Sequence, residues 1–283
     1  QGVDSKGFLM GTPQSFGFDL TTNKSIDPAT LTDATVGSTS TIYEVEAIDF
    51  YLKIDGLAGT STAKGHEGWF AIDGFEFDVS GAGGGKSSFS ELSVSGEFDS
   101  ALTALLGKIA PGQFINAIEL EGFTWKGTKV YDLTLNDVVL SKLDESGVGV
   151  GEPETLSFNY GKIGLITQGA DSNGVPTGTS QSFGFDLVTN KSIDPASLID
   201  AKAGGTAYPV QASQYYLKID GLTGTAAAKG HEGWFEIDGF AFDADVSVSP
   251  LSISKTSFSD LSVSGAFDGA LTALLGKIAF GQS

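Results

Sequence analysis

The sequence predicts a mainly β protein, a β-barrel or sandwich with one short α-helix, in tandem repeats of about 167 residues. Three observations predict it. Long stretches recur at one spacing, apolar residues alternate in short runs cut by Gly, Asp and Ser, and one segment alone has helical spacing. The repeat is nearly literal: "SFGFDLTTNKSIDPATL" from Ser15 returns as "SFGFDLVTNKSIDPASL" from Ser182, an offset of 167. The run from Tyr51 returns from Tyr216 at an offset of 165, and the run from Ser88 returns from Ser257 at 169. The offset grows between these last two runs, so the length change falls near 79–88, where an exposed loop is expected.

Within one repeat the alternation predicts strands over Phe50–Ile54, Trp69–Val79 with a bulge at Gly74, Phe89–Val94, Ile115–Trp125, Val130–Leu140, Leu156–Leu165 and Phe183–Leu187. The exception is "DSALTALLGKI", where Ala101, Leu102, Leu105 and Leu106 follow helical spacing, Asp99 or Ser100 is the expected N-cap, and Gly107 stands near the end. Seven strands and one helix predict a barrel or sandwich plugged at one end.

Composition narrows the function. Sixteen basic residues against 35 acidic ones give a formal charge of −19, which disfavours nucleic acid and anionic lipid. No window approaches the ~18 apolar residues of a membrane helix. The absence of Cys excludes disulfides and thiolate metal sites and accords with a secreted protein. A chain that opens on Gln1 is expected to be preceded by a further segment.

One stretch, "VSGAGGGKSS" from Val79, ends like a phosphate-binding loop, but the first glycine of that motif would fall on Ser80, and strand-like sequence follows where a helix should start. The matching segment of the second copy, "DVSVSPLSISKTSFS" from Asp245, contains no glycine, which rules out a phosphate cradle and predicts an exposed loop.

His66 and His231, the two histidines, occupy the same place in "KGHEGWF". One imidazole per repeat without a second His or Cys beside it does not make a zinc set, and packing beside Trp69 or Trp234 is the expectation. The acidic turns at Asp55, Asp73, Asp220 and Asp238, and "GADSNG" with Asp171 and Asn173, invite calcium, yet the spacing of a calcium loop is incomplete and Lys6 replaces Asn173 in the other copy. Asx-turns are expected there. No Gly-x-Ser-x-Gly elbow precedes the helix. Trp69, Trp125 and Trp234 are expected in the core. No catalytic, cofactor or metal residue is assigned, and no enzyme is expected.

"YLKIDGLAGTSTAKGHEGWFAIDGFEF", the Gly85-Lys86 loop, "SFSELSVSGEFDSALTALLGKI", "ETLSFNYGKI" and "SFGFDLVTNKSI" resemble, in order, the successive elements of the haemolysin-coregulated protein family, Hcp, the tube protein of type VI secretion. The resemblance implies a small Hcp-like barrel with one helix, hexameric rings that stack into a hollow tube, and no catalysis of its own. It divides the chain into the last strand of a preceding unit (1–30), a linker (31–46), a complete unit (47–195), a linker (196–213) and the first half of a following unit (214–283), a window on a longer tandem chain. The expected function is a non-catalytic structural protein that self-assembles into an extracellular filament or tube. The alternatives are a secreted adhesin and a type VI tube or effector-carrier component. The expected partners are neighbouring copies or repeats, with no nucleic acid and no membrane insertion.

Overall fold

The computed structural model describes residues 47–81, 87–146, 154–205, 207, 214–246 and 255–279, together with six residue pairs or triplets in short strands elsewhere. Two bodies result, 1–42 and 43–283. In the first, Gly2–Val3 pairs with Leu9–Met10 and Gly17–Asp19 with Lys24–Ile26. These registers are those of Gly169–Ala170 with Pro176–Thr177 and of Phe185–Asp186 with Lys191–Ser192, so the sequence repeat is also a repeat of strand pairing.

The second body holds β1 (Asp49–Ile54), β2 (Phe70–Glu76), β3 (Leu92–Gly96), α1 (Leu102–Ile109), β4 (Phe114–Phe123), β5 (Lys129–Ser146), β6 (Glu154–Asn159), β7 (Lys162–Ala170) and β8 (Pro176–Asp186). After these come β9 (Tyr215–Leu217), β10 (Phe235–Asp245), β11 (Ser262–Gly265) and α2 (Leu271–Ala279). Six antiparallel strands close on themselves in the order β4-β1-β2-β3-β6-β5, because β5 pairs with both β6 and β4. Alternate residues point inward: Leu52, Ile54, Phe70, Leu92, Val94, Ile118, Leu120, Leu133, Leu156 and Phe158 form the core, with Leu105 and Ile109 of α1 packed among them. Burial of each such side chain contributes roughly 1.5–3 kcal/mol.

β5 runs six residues past the expected end at Leu140 and serves two sets of neighbours. Its first part, Lys129–Val139, lies beside β4, and Lys142–Ser146 lies beside β10 of the second repeat. The expected strand over 156–165 is broken into β6 and β7 at Tyr160–Gly161, where Asp137 of β5 takes a φ of 55° and the Gly161 amide donates to the carbonyls of Asn136 and Asp137. A short polar residue tolerates that conformation, and a Cβ on residue 161 would sit 3.0 Å from Asp137 Cβ. β7 and β8 continue the sheet outward from β5, and β8 begins at Pro176, seven residues before its expected start.

The bulge at Gly74 is present as a register shift against β3. The expected strand over Trp69–Val79 ends at Glu76, and Val79–Gly81 pairs with Ser87–Phe89 as a hairpin. Residues 82–86 of the glycine-rich loop lie outside the described residues, and Ser87 stands in a strand where a phosphate loop needs a helix. The helix opens with a 3-10 turn over Asp99–Ala101, so its N-cap is Ala101, without a side-chain bond from Asp99 or Ser100. Trp125 corrects the core expectation: it is 59% exposed in the Thr124–Gly127 turn between β4 and β5, with Lys126 Nζ 4.8 Å above its ring.

Pairings of the second repeat reproduce the first. Tyr215↔Ile237 repeats Phe50↔Ile72, and the β10–β11 register with its shift at Gly239 repeats β2–β3. Part of the expected linker 196–213 is laid against the complete barrel: Ala201 is buried, Gly204 N–H donates to Leu57 O at 2.8 Å and Ala207 N–H to Gly59 O at 2.9 Å. Residues 208–213 lie outside the described residues.

Candidate functional site

Three polar groupings could carry chemistry. The first surrounds His66. The segment between β1 and β2 folds over the outer face of β1 and β4, held by Ser61 N–H to Trp69 O at 2.9 Å and Gly59 N–H to Gly68 O at 2.7 Å. The approach is so close that a Cβ on residue 59 would stand 2.2 Å from the Trp69 carbonyl oxygen, which only glycine permits. Under this cover lie carboxylates that strand alternation aims outward, Glu119 and Glu121, both 9% exposed.

His66 Nε2 is 2.8 Å from Glu121 Oε2, and Lys129 Nζ donates to Glu121 Oε1 at 2.8 Å and to Asp132 at 2.7 Å. Lys53 pairs with Glu119 and stands 4.2 Å above the Trp69 ring. The imidazole is stacked on Tyr51 and edge-on to Trp69 and Phe123. Burial works to raise the Glu121 carboxyl, but the bonds from Lys129 and His66 outweigh it and hold the group below the ordinary range. Glu119 goes the other way: burial raises it despite Lys53. This paired, ring-packed network can pin the covering segment to the barrel. In the second repeat His231 keeps Tyr216 and Trp234 as ring neighbours.

The acidic turns form the second grouping. Asp171 Oδ1 accepts the backbone N–H groups of Asn173 and Val175, both at 2.9 Å, which is an Asx-turn. Asp55 accepts Asn116 Nδ2 at 2.7 Å and the Lys202 N–H at 3.1 Å. Asp171 is thus committed to its own turn, as expected, whereas Asp55 departs from the Asx-turn expectation by serving donors distant in sequence.

Sequence reasoning missed the third grouping. Glu145 near the end of β5, Glu154 at the start of β6 and Asp99 before α1 bring one carboxylate oxygen each within 4.8 Å of one another. Glu145 and Glu154 are buried and Asp99 is exposed. Glu154 Oε2 accepts the Phe98 N–H at 2.8 Å. Burial, followed by the other carboxylates, pushes Glu145 up to about 7 and raises Glu154 as well. The available signal was the alternation Ser141-Leu143-Glu145, which places Glu145 on a buried face once β5 is extended to Ser146.

The family model described as "Type VI secretion system effector, Hcp" matches residues 51–165 and 216–283. Among solved structures, one titled "Structure of a type six secretion system protein" is 27% identical, with a TM-score of 0.47, over 52% of this chain and 100% of that one. Hcp1 from Salmonella typhimurium is 22% identical, with a TM-score of 0.44, over 52% and 100%. Hcp3 from Pseudomonas aeruginosa is 22% identical, with a TM-score of 0.37, over 48% and 97%. No curated protein matches the sequence. With more than half of its residues, in both repeats, matched by one family model, the chain belongs to the Hcp family of type VI secretion.

Proposed function

We propose that this chain is a non-catalytic structural protein whose repeats join head to tail, through strand addition, into an extracellular filament or tube. One observation carries the reading. β10 of the second repeat pairs through Ala241–Asp245 with Lys142–Ser146 of the first, Val246 N–H donates to Ser141 O at 2.7 Å, and Ala244 (0% exposed) and Val246 (4%) enter the core of the first barrel. This also corrects the expectation that 245–259 is all exposed loop. Thr256 Oγ1 adds a bond to Ile109 O at 2.8 Å, at the end of α1.

The first repeat carries the same connector unused. Val79↔Phe89 is the register counterpart of Ala244↔Phe258, yet Val79 is 54% exposed. Its occupant is the β5 counterpart of another repeat. A contact between two different surfaces of one unit leaves both surfaces free on the ends of the pair, so it continues from unit to unit, as a fibre or, where the rotation closes, as a ring. Among the described residues β9 and β11 each pair only with β10, and Leu261, Leu271, Leu275 and Ile278 are exposed.

The test is Val79→Asp, which touches a side chain already in solvent. The expected result is a chain that keeps its thermal unfolding profile but forms no ordered fibres or tubes by negative-stain microscopy. Parent protein that stays monomeric at high concentration, or a variant that assembles as well as the parent, overturns the reading. Family membership supports a second reading, in which the same head-to-tail contact builds part of a type VI tube. Rings in the micrographs point to it, and continuous fibres point to the first.

A further inference from the structure

We propose that Asp99, Glu145 and Glu154 form a binding site for a divalent cation of calcium's size at the junction between the complete repeat and the second one. The donor set is three carboxylates from three separate elements, with oxygens within 4.8 Å of one another. Calcium holds oxygen ligands at about 2.3–2.6 Å, so two oxygens of one shell stand at most about 5 Å apart, and this cluster already meets that limit. The all-oxygen character excludes a preference for soft metals.

A second observation points to a ligand. Glu145 is 2% exposed, and its buried Oε2 has no hydrogen-bond partner among the described residues. A buried carboxylate oxygen needs a donor or a cation. The protein supplies Glu154 with the Phe98 N–H. The ion pairs of Lys53 with Glu119, Lys129 with Glu121, Lys142 with Asp144 and Lys162 with Asp137 all serve other carboxylates. Three carboxylate oxygens brought together from three elements are satisfied jointly by one divalent cation. Asp99, at the surface, gives it access from solvent.

The position gives the site a consequence. Glu145 is paired in register with Phe242 of β10, and the phenol of Tyr215 in β9 is raised by burial and then by these three carboxylates. The second repeat therefore sits within the field of the cluster. Neutralising the cluster steadies the place where the two repeats meet, independently of whether chains assemble.

The experiment titrates calcium chloride, and separately magnesium chloride, into the 283-residue chain at pH 8 and at pH 5 with ionic strength fixed, by calorimetry and thermal unfolding. The expected result at pH 8 is one calcium per chain and a rise in Tm of about 5–10 °C at a hundredfold excess over Kd. At pH 5 the affinity falls at least tenfold. Glu145→Gln and Glu154→Gln abolish the calcium shift, and Glu145→Gln without calcium melts higher at pH 8 than the parent does. Asp171→Asn leaves the shift intact. No calcium heat or shift at pH 8, or a shift that survives both Gln variants, overturns the proposal. Equal affinity for magnesium overturns the assignment to calcium's size.

Discussion

The two copies of the helix show what the barrel does for its sequence. "LTALLGKI" occurs in both, yet Ile109 is 0% exposed in the first and its counterpart Ile278 is 76% exposed in the second. Leu92 at 1% and Leu261 at 58% repeat the contrast in a strand. Local structure is unaffected, since both helices form and both strand pairs keep their register. The first copy differs in having β4, β5 and β6, which close the wall. Secondary structure here belongs to the repeat, whereas burial belongs to the closed ring of six strands.

The largest test of this contrast is Ile109→Ala against Ile278→Ala. The first should cost about 2–5 kcal/mol, as a methylene-rich side chain is removed from a closed core, and the second less than about 0.5 kcal/mol in the isolated chain. Urea unfolding measures both. Equal losses would show that the second helix is covered after all.

Gly59→Ala and Gly224→Ala sharpen the contrast from the other side. A Cβ at either position would stand 2.2 Å from a carbonyl oxygen, of Trp69 or of Trp234, so both substitutions should destabilise their own repeat by about 1–3 kcal/mol. Site-resolved hydrogen exchange should then show equal local loosening, because this strain is local and indifferent to closure.

Two buried carboxylates of the complete unit, Glu121 and Glu145, should respond to pH with opposite signs. Glu121 is held below its ordinary value, so its contribution is present above the ordinary carboxylate range and is lost as pH falls through its lower folded value. Glu145 is raised to about 7, so its contribution is complete below the ordinary range, about pH 4, and is lost as pH rises to about 7. Without added cation, Glu121→Gln should flatten the acid limb of a Tm–pH profile and Glu145→Gln the neutral limb. Both variants flattening the same limb would contradict these environments.

His66→Ala should cost about 1–3 kcal/mol, because Glu121 loses a buried hydrogen bond, and the loss in His231→Ala should be smaller. Chemical denaturation of the two variants decides it. The smallest effect is expected from replacing Gly81–Lys86 with the second copy's loop. The graft has to begin after Val246, a core residue, and should then change stability by less than about 0.5 kcal/mol.

Much of this was legible in the sequence, for reasons that mark the limits. The repeat was visible because whole strands recur almost unchanged, and the strands were visible where apolar and polar residues alternate. Glu145 was hidden because Ser141, Lys142 and Asp144 make the end of β5 look like a loop. That segment is a strand only because β6 and β10 lie on either side of it. Trp125 was misplaced because indole area argues for burial, whereas the tight turn at Gly127 carries the ring into solvent beside Lys126. The role of Ala244 and Val246 depends on contact with another repeat, which local periodicity does not encode.

The long strand β5 also imposes an order in time. Its distal pairs, such as Glu145 with Phe242, join residues about a hundred positions apart, and such contacts form late because the loop between them must first be closed. A ribosome releases Lys142–Ser146 well before Ala241–Asp245 leaves the exit tunnel, so the first barrel can close while its rim is still vacant. Each newly made repeat then finds a finished template on the unit before it, and a chain of such repeats matures from its N-terminus, one rim at a time.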